Sequence, residues 1–344
     1  MTSLLLSEIY EQPQAIRRLV AAEAGHVAEI GRQLQDQGFN YVLIAARGTS
    51  DNAARYGQYL FGALNRLPVA LAAPSLFTLY QQPPRLKEAL VIGISQSGQS
   101  PDIVSVLQEA RRQGAPSIAI TNDLGSPLAE AAEHVIGLQV GEERSVAATK
   151  TYTAQLTALA LLGLGLAGTL EQPNLLGGVS EAMELALQAE PQARQAAAKL
   201  AESDRAIVIG RGFNYATAHE ISLKCKELAY ILAEPYSSAD FRHGPIAMME
   251  TDFPVLLVTM GATFRQDLAA LDARLREQGV QPVVLGDQPF TGDGLHIPVP
   301  GGLPEWLTPL AAILPGQLLA YHLARARGFD PDQPRVIRKV TLTH

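Results

Sequence analysis

The chain repeats itself. Residues 41–48, YVLIAARG, return as AIVIGRG at 206–212, and Gly48 and Gly212 stand 164 residues apart. The same offset sets VIGI at 91–94 against VLLV at 255–258. It also sets Asp123, closing PSIAITND, against Asp287, closing PVVLGD. Each half therefore reads strand, helix, strand, helix, strand. Apolar strands that alternate with helical stretches imply βαβ units and a parallel sheet. A period this long is a domain duplication and not a solenoid.

In the first half, strands are expected over about 41–46, 89–94, 117–121 and 134–139, with helices over 51–64, 101–113 and 149–166. The second half has strands over about 205–210, 253–259, 282–285 and 294–299, and helices over 216–233, 264–278 and 305–326. One or two helices, 9–34, precede the first strand. Gly, Pro and Asn concentrate near 168–178, which reads as a linker. The expected domains are residues 1–175 and 176–344.

Composition narrows the class. A length of 344 residues suits two domains, and 47 % hydrophobic residues can fill two cores. The net charge of −7 and the lack of a basic block argue against nucleic acid. A single cysteine, Cys225, cannot build a disulfide framework within the chain, and a cytoplasmic setting is expected. The apolar run in MTSLLLSEIYEQ is too short for a signal peptide. The run at 156–170 falls short of the roughly 20 residues of a membrane span, so it reads as a buried helix, and no membrane partner is expected.

The halves differ where ligands bind. At 91–102, VIGISQSGQSPD, a strand runs into Ser95, Gln96, Ser97, Gly98, Gln99 and Ser100, and Pro101 opens a helix. Hydroxyls, a glycine and the free amides of a helix N-terminus meet at the carboxyl end of a strand, which suits a small dianion such as a sugar phosphate. This loop is neither a Walker loop, GxxxxGK[ST], nor a GxGxxG turn. The alternative is a polar turn that caps a helix. The second half has Thr259-Met260-Gly261 at the matching place and has lost most of the hydroxyls, so it is expected to supply different chemistry.

Glu220, Lys224 and Glu227 recur at i, i+4 and i+7 and share one helical face. Two carboxylates flanking a lysine would shift one another's proton affinities, which suits moving protons on and off carbon. The same spacing also serves a solvated salt-bridge face. His243, before Gly-Pro, sits at a turn and is either an acid–base group or structural. Lys339, in the C-terminal tail, is either a Schiff-base amine or a solvated tail residue. Residues 143–150, ERSVAATK, are either a substrate loop or a plain connection. Cys225 reads as a small buried hydrophobe, and Lys226 as surface. No Cys/His cluster suggests a metal, and no cofactor is expected.

Seven segments in order resemble the sugar isomerase (SIS) family, above all the isomerase half of glucosamine–fructose-6-phosphate synthase and its stand-alone deaminase relatives. They are EIYEQP (8–13), ARGTS (46–50), ISQSGQSPD (94–102), RSVAATK (144–150), the Glu220-x3-Lys224-x2-Glu227 helix, HGP (243–245) and DQPR with the following lysine (332–339). The resemblance implies tandem doubly wound, flavodoxin-like αβα sandwiches. It implies that Thr49, Ser50, Ser95, Gln96, Ser97, Ser100 and Val146 hold a sugar phosphate. Glu227 would carry the proton between C1 and C2, assisted by Lys224 and Glu220. His243 would open the ring from across a homodimer interface, and Lys339 would engage the open-chain sugar. The family's synthase also has a glutaminase half with an N-terminal cysteine, whereas this chain begins Met1-Thr2-Ser3. Ala148 replaces a serine near the sugar, and Gln99-Ser100 replaces Glu-Thr. The expected activity is an amino-sugar-phosphate deaminase converting glucosamine 6-phosphate to fructose 6-phosphate and ammonia. Galactosamine or fructosamine phosphates, isomerisation without nitrogen, and a non-catalytic sugar-phosphate sensor are the alternatives.

Overall fold

The structure, a computed structural model, describes residues 3–35, 37–170, 176–290 and 294–339. A single helix, α1 (Leu4–Leu34), opens the chain, followed by β1 (Tyr41–Ala45), α2 (Thr49–Asn65), β2 (Val69–Leu71), α3 (Ser75–Thr78), β3 (Ala89–Ile94), α4 (Pro101–Gln113), β4 (Ser117–Thr121), α5 (Pro127–Ala131), β5 (His134–Gly137) and α6 (Lys150–Leu166). The second half runs α7 (Val179–Leu187), α8 (Glu190–Leu200), β6 (Arg205–Gly210), α9 (Asn214–Ala229), β7 (Leu232–Ser237), α10 (Ser238–Arg242), β8 (Val255–Thr259), α11 (Arg265–Glu277), β9 (Val283–Gly286), β10 (His296–Pro298) and α12 (Thr308–Ala326). The linker expected near 168–178 lies partly outside the described residues, as do Met1 and Thr2.

Both sheets are five-stranded and parallel. The first has the order β2-β1-β3-β4-β5, and the second, β7-β6-β8-β9-β10, is the same order. The duplication reaches the register: Ile44 faces Ile92 across β1 and β3, and Val208 faces Leu256 across β6 and β8. These pairs are related by the 164-residue offset read from the sequence. All six residues of β3 are buried, as are all of β4 and β8. Helices cover both faces, so such strands read as continuous apolar runs.

Two strands carry no such signature. β2 has three residues, and β7 reads LAEPYS. Both lie at sheet edges, where one side needs no partner and Pro235 removes no ladder bond. The helix expected over 216–233 stops at Ala229, because Tyr230 adopts a left-handed conformation with φ 55°. Tertiary contacts hold it there. Its ring meets Phe329 edge-on at 4.7 Å and carries the Arg335 guanidinium at 4.6 Å, while its hydroxyl accepts from the Arg335 amide.

The described residues form two compact units that interleave in sequence. The first-sheet unit comprises Gln14–Arg144, Lys150–Gly177 and Arg338–His344. The second-sheet unit comprises Met1–Pro13, Ser145–Thr149 and Gly178–Ile337. In the first-sheet unit, α1 crosses α6 at paired glycines, where a Cβ on Gly31 would lie 2.4 Å from the Gly165 backbone. In the second-sheet unit, Asp332 accepts from the Leu4 and Leu5 amides and the Ser3 hydroxyl, capping α1. This cap places the acidic residue of DQPR at the positive end of a helix. Among the described residues, one stretch, Glu305–Ala326, is long and apolar enough to cross a membrane by length and composition, and 94 % of its apolar window is buried within the protein.

Candidate functional site

The first sheet changes direction between β1 and β3, and the two polar loops open from the carboxyl ends of these strands. Ligands in open α/β sheets bind at such a switch point. After β1 come Arg47, Gly48, Thr49 and Ser50, with Thr49 and Ser50 in the first turn of α2. After β3, the residues 95–100 turn into α4, whose first position is Pro101. Ser95 is buried and its Oγ accepts from the Gly98 amide at 3.1 Å. The Ser97 Oγ accepts from the Gln99 amide at 3.3 Å, and the Gln96 carbonyl accepts from the Asn122 amide at 3.1 Å. Gly98 has φ 63°, and a Cβ there would stand 2.0 Å from the Ser126 Oγ. Only glycine fits, so the loop is fixed by its packing against Ser126. Ser100 precedes α4, and its side chain makes no capping bond. The buried Asp102 accepts from Arg47 Nε at 2.8 Å, joining the two loops. Ser50 accepts from Gln155 Nε2 on α6 at 2.9 Å.

The two halves differ at the glycine that follows the first strand of each sheet. Nothing lies within 4 Å of a Cβ built on Gly48, whereas at Gly212 the Phe264 ring stands 2.5 Å away. The Arg211 guanidinium lies over that ring at 5.3 Å. At Gly261, opposite the serine loop under the repeat, Glu305 comes within 3.0 Å and accepts the Thr263 hydroxyl. Phe264 and Glu305 thus cover Gly212 and Gly261 in the second half, whereas Gly48 is uncovered in the first.

In the second-sheet unit, α9 presents Glu220, Lys224 and Glu227 on one face. Lys224 Nζ lies 3.4 Å from Glu220 Oε1 and 2.5 Å from Glu227 Oε2. The side chains of Lys224 and Glu220 are 1 % and 0 % exposed, while that of Glu227 is 24 % exposed. This excludes the solvated salt-bridge face that the spacing also permitted. A charge this deeply buried requires its partners. Cys225 beside it is buried, and burial pushes its thiol up to about 12, so it is a packed hydrophobe and not a nucleophile. Lys226 lies on the surface, 3.6 Å from Glu234.

His243 follows α10 on an exposed turn completed by Gly244 at φ 137°. The turn is braced from the residue before it, since Arg242 bonds both the carboxylate and the carbonyl of Asp267, which also accepts from Ser238. Burial would raise the Asp267 carboxyl, but the Ser238 and Arg242 hydrogen bonds outweigh it and hold it below the usual carboxylate range. Val146 lies in the loop 145–149, where Glu8 accepts from both the amide and the hydroxyl of Ser145. Thr49, Ser50, Ser95, Gln96, Ser97, Ser100 and Lys339 belong to the first-sheet unit, whereas Val146, Glu220, Lys224, Glu227 and His243 belong to the second.

Lys339 is no solvated tail residue. Its Nζ donates to Glu143 Oε2 at 2.6 Å, and its side chain is 24 % exposed. Glu143, Thr151 and Gln155 were not distinguished by the sequence. Glu143 opens the segment ERSVAATK, and the sole signal was an acid followed at i+8 by a threonine in a helix start.

The SIS domain family matches residues 39–164 and 199–291. The glutamine–fructose-6-phosphate aminotransferase (isomerizing) of Pyrococcus horikoshii is 34 % identical over 97 % of this chain and 57 % of its own length. The chain thus spans somewhat more than half of such curated relatives. The C-terminal domain of a Francisella tularensis glucosamine–fructose-6-phosphate aminotransferase superposes with a TM-score of 0.89 at 26 % identity, covering 97 % of this chain and 98 % of that one. A proposed phosphosugar isomerase from Silicibacter pomeroyi gives 0.87 at 33 % identity, covering 96 % and 100 %.

Proposed function

The chain belongs to the SIS domain family, and from that premise we propose that it converts glucosamine 6-phosphate and water to fructose 6-phosphate and ammonia. The observation that carries this reading is the buried triad on α9. Lys224 is locked between two carboxylates, and Glu227 is the member with exposed surface, so it is the one able to meet a substrate. Loss of ammonia from C2 needs a base that takes the C2 proton and returns it at C1. Glu227 fills that role, with Lys224 and Glu220 setting its charge environment. The phosphate sits on Thr49, Ser50 and the 95–100 loop, against the positive end of α4. Val146 lines the sugar, and His243, supplied by a second copy of the chain, opens the ring. The Lys339 amine forms an imine at C2, which water hydrolyses to release the ketose. The relatives at 34 % identity, which act on fructose 6-phosphate by name, support this substrate class.

The test is release of ammonia and fructose 6-phosphate from glucosamine 6-phosphate without glutamine. Equal release of both products supports the reading. No release, together with thermal stabilisation by other hexose phosphates, transfers the same chemistry to another sugar, as the Ala148 substitution would favour. Glu227→Gln should lower turnover by about 10²–10⁴-fold while hexose-phosphate stabilisation persists. Unchanged turnover would remove Glu227 as the proton carrier.

A further inference from the structure

Glu143 lies in the loop before α6, and its side chain is 0 % exposed. Its Oε1 accepts from the Thr151 amide at 3.0 Å, and its Oε2 accepts from the Thr151 hydroxyl at 2.8 Å and from Lys339 Nζ at 2.6 Å. A buried carboxylate is costly unless it is paired and hydrogen-bonded. Here an ammonium, a hydroxyl and a first-turn amide of α6 surround it, and the helix N-terminus favours its charge. One turn further along α6, Gln155 donates to Ser50. Thr151 and Gln155 are at i and i+4, so they share a face and are separated by about one helical pitch, roughly 5–6 Å. The same helix face thus seats the lysine's carboxylate and a hydroxyl of the candidate phosphosugar loop, all within the first-sheet unit.

We propose that Glu143 is the positioning residue of Lys339, holding its amine at a fixed height above the Ser50 loop and receiving its proton as the imine forms. This rests on the reading of Lys339 as the imine-forming amine. The Lys339 ammonium passes a proton to the Glu143 carboxylate. The freed nitrogen lone pair adds to C2 of the open-chain ketose, forming the C–N bond. The carbonyl oxygen takes the Glu143 proton and, with the second proton from nitrogen, leaves as water. Hydrolysis reverses the sequence and returns the proton to the pair. No oxidant or further reactant enters. Thr151 keeps the carboxylate from swinging away, since it bonds both oxygens.

The step is read by incubating the full chain with fructose 6-phosphate, reducing with borohydride, and locating the hexitol-phosphate adduct by peptide mass spectrometry. The parent chain should carry the adduct on Lys339. Glu143→Gln should carry about tenfold less or lower still, as expected on loss of a charge-assisted bond. Its thermal stabilisation by glucitol 6-phosphate, which cannot form an imine, should be retained. Parent-level adduct in Glu143→Gln overturns the role of Glu143 and leaves the function standing. No adduct in the parent overturns the imine role of Lys339 itself. If Glu143→Gln does not fold, Glu143→Asp decides: a carboxylate drawn back by one methylene should give an intermediate yield, and an undiminished yield would overturn the proposal.

Discussion

Replacing Lys224 with methionine should unlock the α9 triad, and the consequence can be worked from its distances. At an effective dielectric constant of about 20, the 2.5 Å contact to Glu227 is worth about 7 kcal/mol of attraction and the 3.4 Å contact to Glu220 about 5 kcal/mol. Dehydrating the three charges offsets much of this, at several kcal/mol per ion. The native triad therefore adds little net stability, but removing one member leaves the others uncompensated. Methionine fills similar space, so the loss is electrostatic, about 3–5 kcal/mol near neutral pH. For a unit of this size that is a fall of roughly 6–20 °C in melting temperature. The deficit must also depend on pH. Without the ammonium, burial and the neighbouring Glu227 both favour a protonated Glu220. A carboxyl whose folded proton affinity is raised contributes stability below its unfolded value near pH 4.3 and loses it as pH rises, by about 1.4 kcal/mol per unit. Melting of Lys224→Met should therefore approach that of the parent near pH 5 and fall away toward pH 8. A deficit below about 1 kcal/mol at every pH, or one that widens on acidification, would refute the buried-triad argument.

Gly98→Ala should both destabilise the first-sheet unit and weaken hexose-phosphate binding, because the residue needs φ 63° and its Cβ would meet Ser126 at 2.0 Å. The backbone part alone is about 1–2 kcal/mol, and isothermal titration with glucitol 6-phosphate that matched the parent would disprove the fit. Gln155→Leu removes the donor to Ser50 and should raise the dissociation constant of the same ligand about tenfold, with unaltered affinity as the contrary result. The parent should also lose stability on acidification. Burial lowers His322 below its usual value against the opposing pull of Glu190. Burial would raise Glu190, but hydrogen bonds from Tyr10 and His322 bring it below the usual range. Both folded proton affinities are depressed, so both contributions are present at neutral pH. The His322 part is lost as pH falls from about 6.5, and the Glu190 part is lost lower down. Melting temperature between pH 7.5 and 5 should drop less in His322→Gln, and equal slopes would contradict the assignment.

What the sequence determined is local and periodic. The 164-residue offset carried the two sets of parallel βαβ units, and the structure extends that repeat to the register of Ile44 with Ile92 and Val208 with Leu256. The offset could do so because central strands of such sheets are apolar on both faces and leave a continuous signature. The serine loop was legible because its glycine and hydroxyls are consecutive in the chain. Edge strands β2 and β7 were not, since an edge demands no such pattern. Three decisions belonged to the tertiary structure, because each depends on groups distant in the chain. Burial chose between two meanings of Glu220, Lys224 and Glu227, which identical spacing serves on a wet or a dry face. Phe264 and Glu305 came to lie over Gly212 and Gly261, a difference between the halves that the repeat did not announce. Finally, Lys339 acquired its partner 196 residues away. No local periodicity can encode that pairing, because it exists only once the tail and the loop before α6 are folded together.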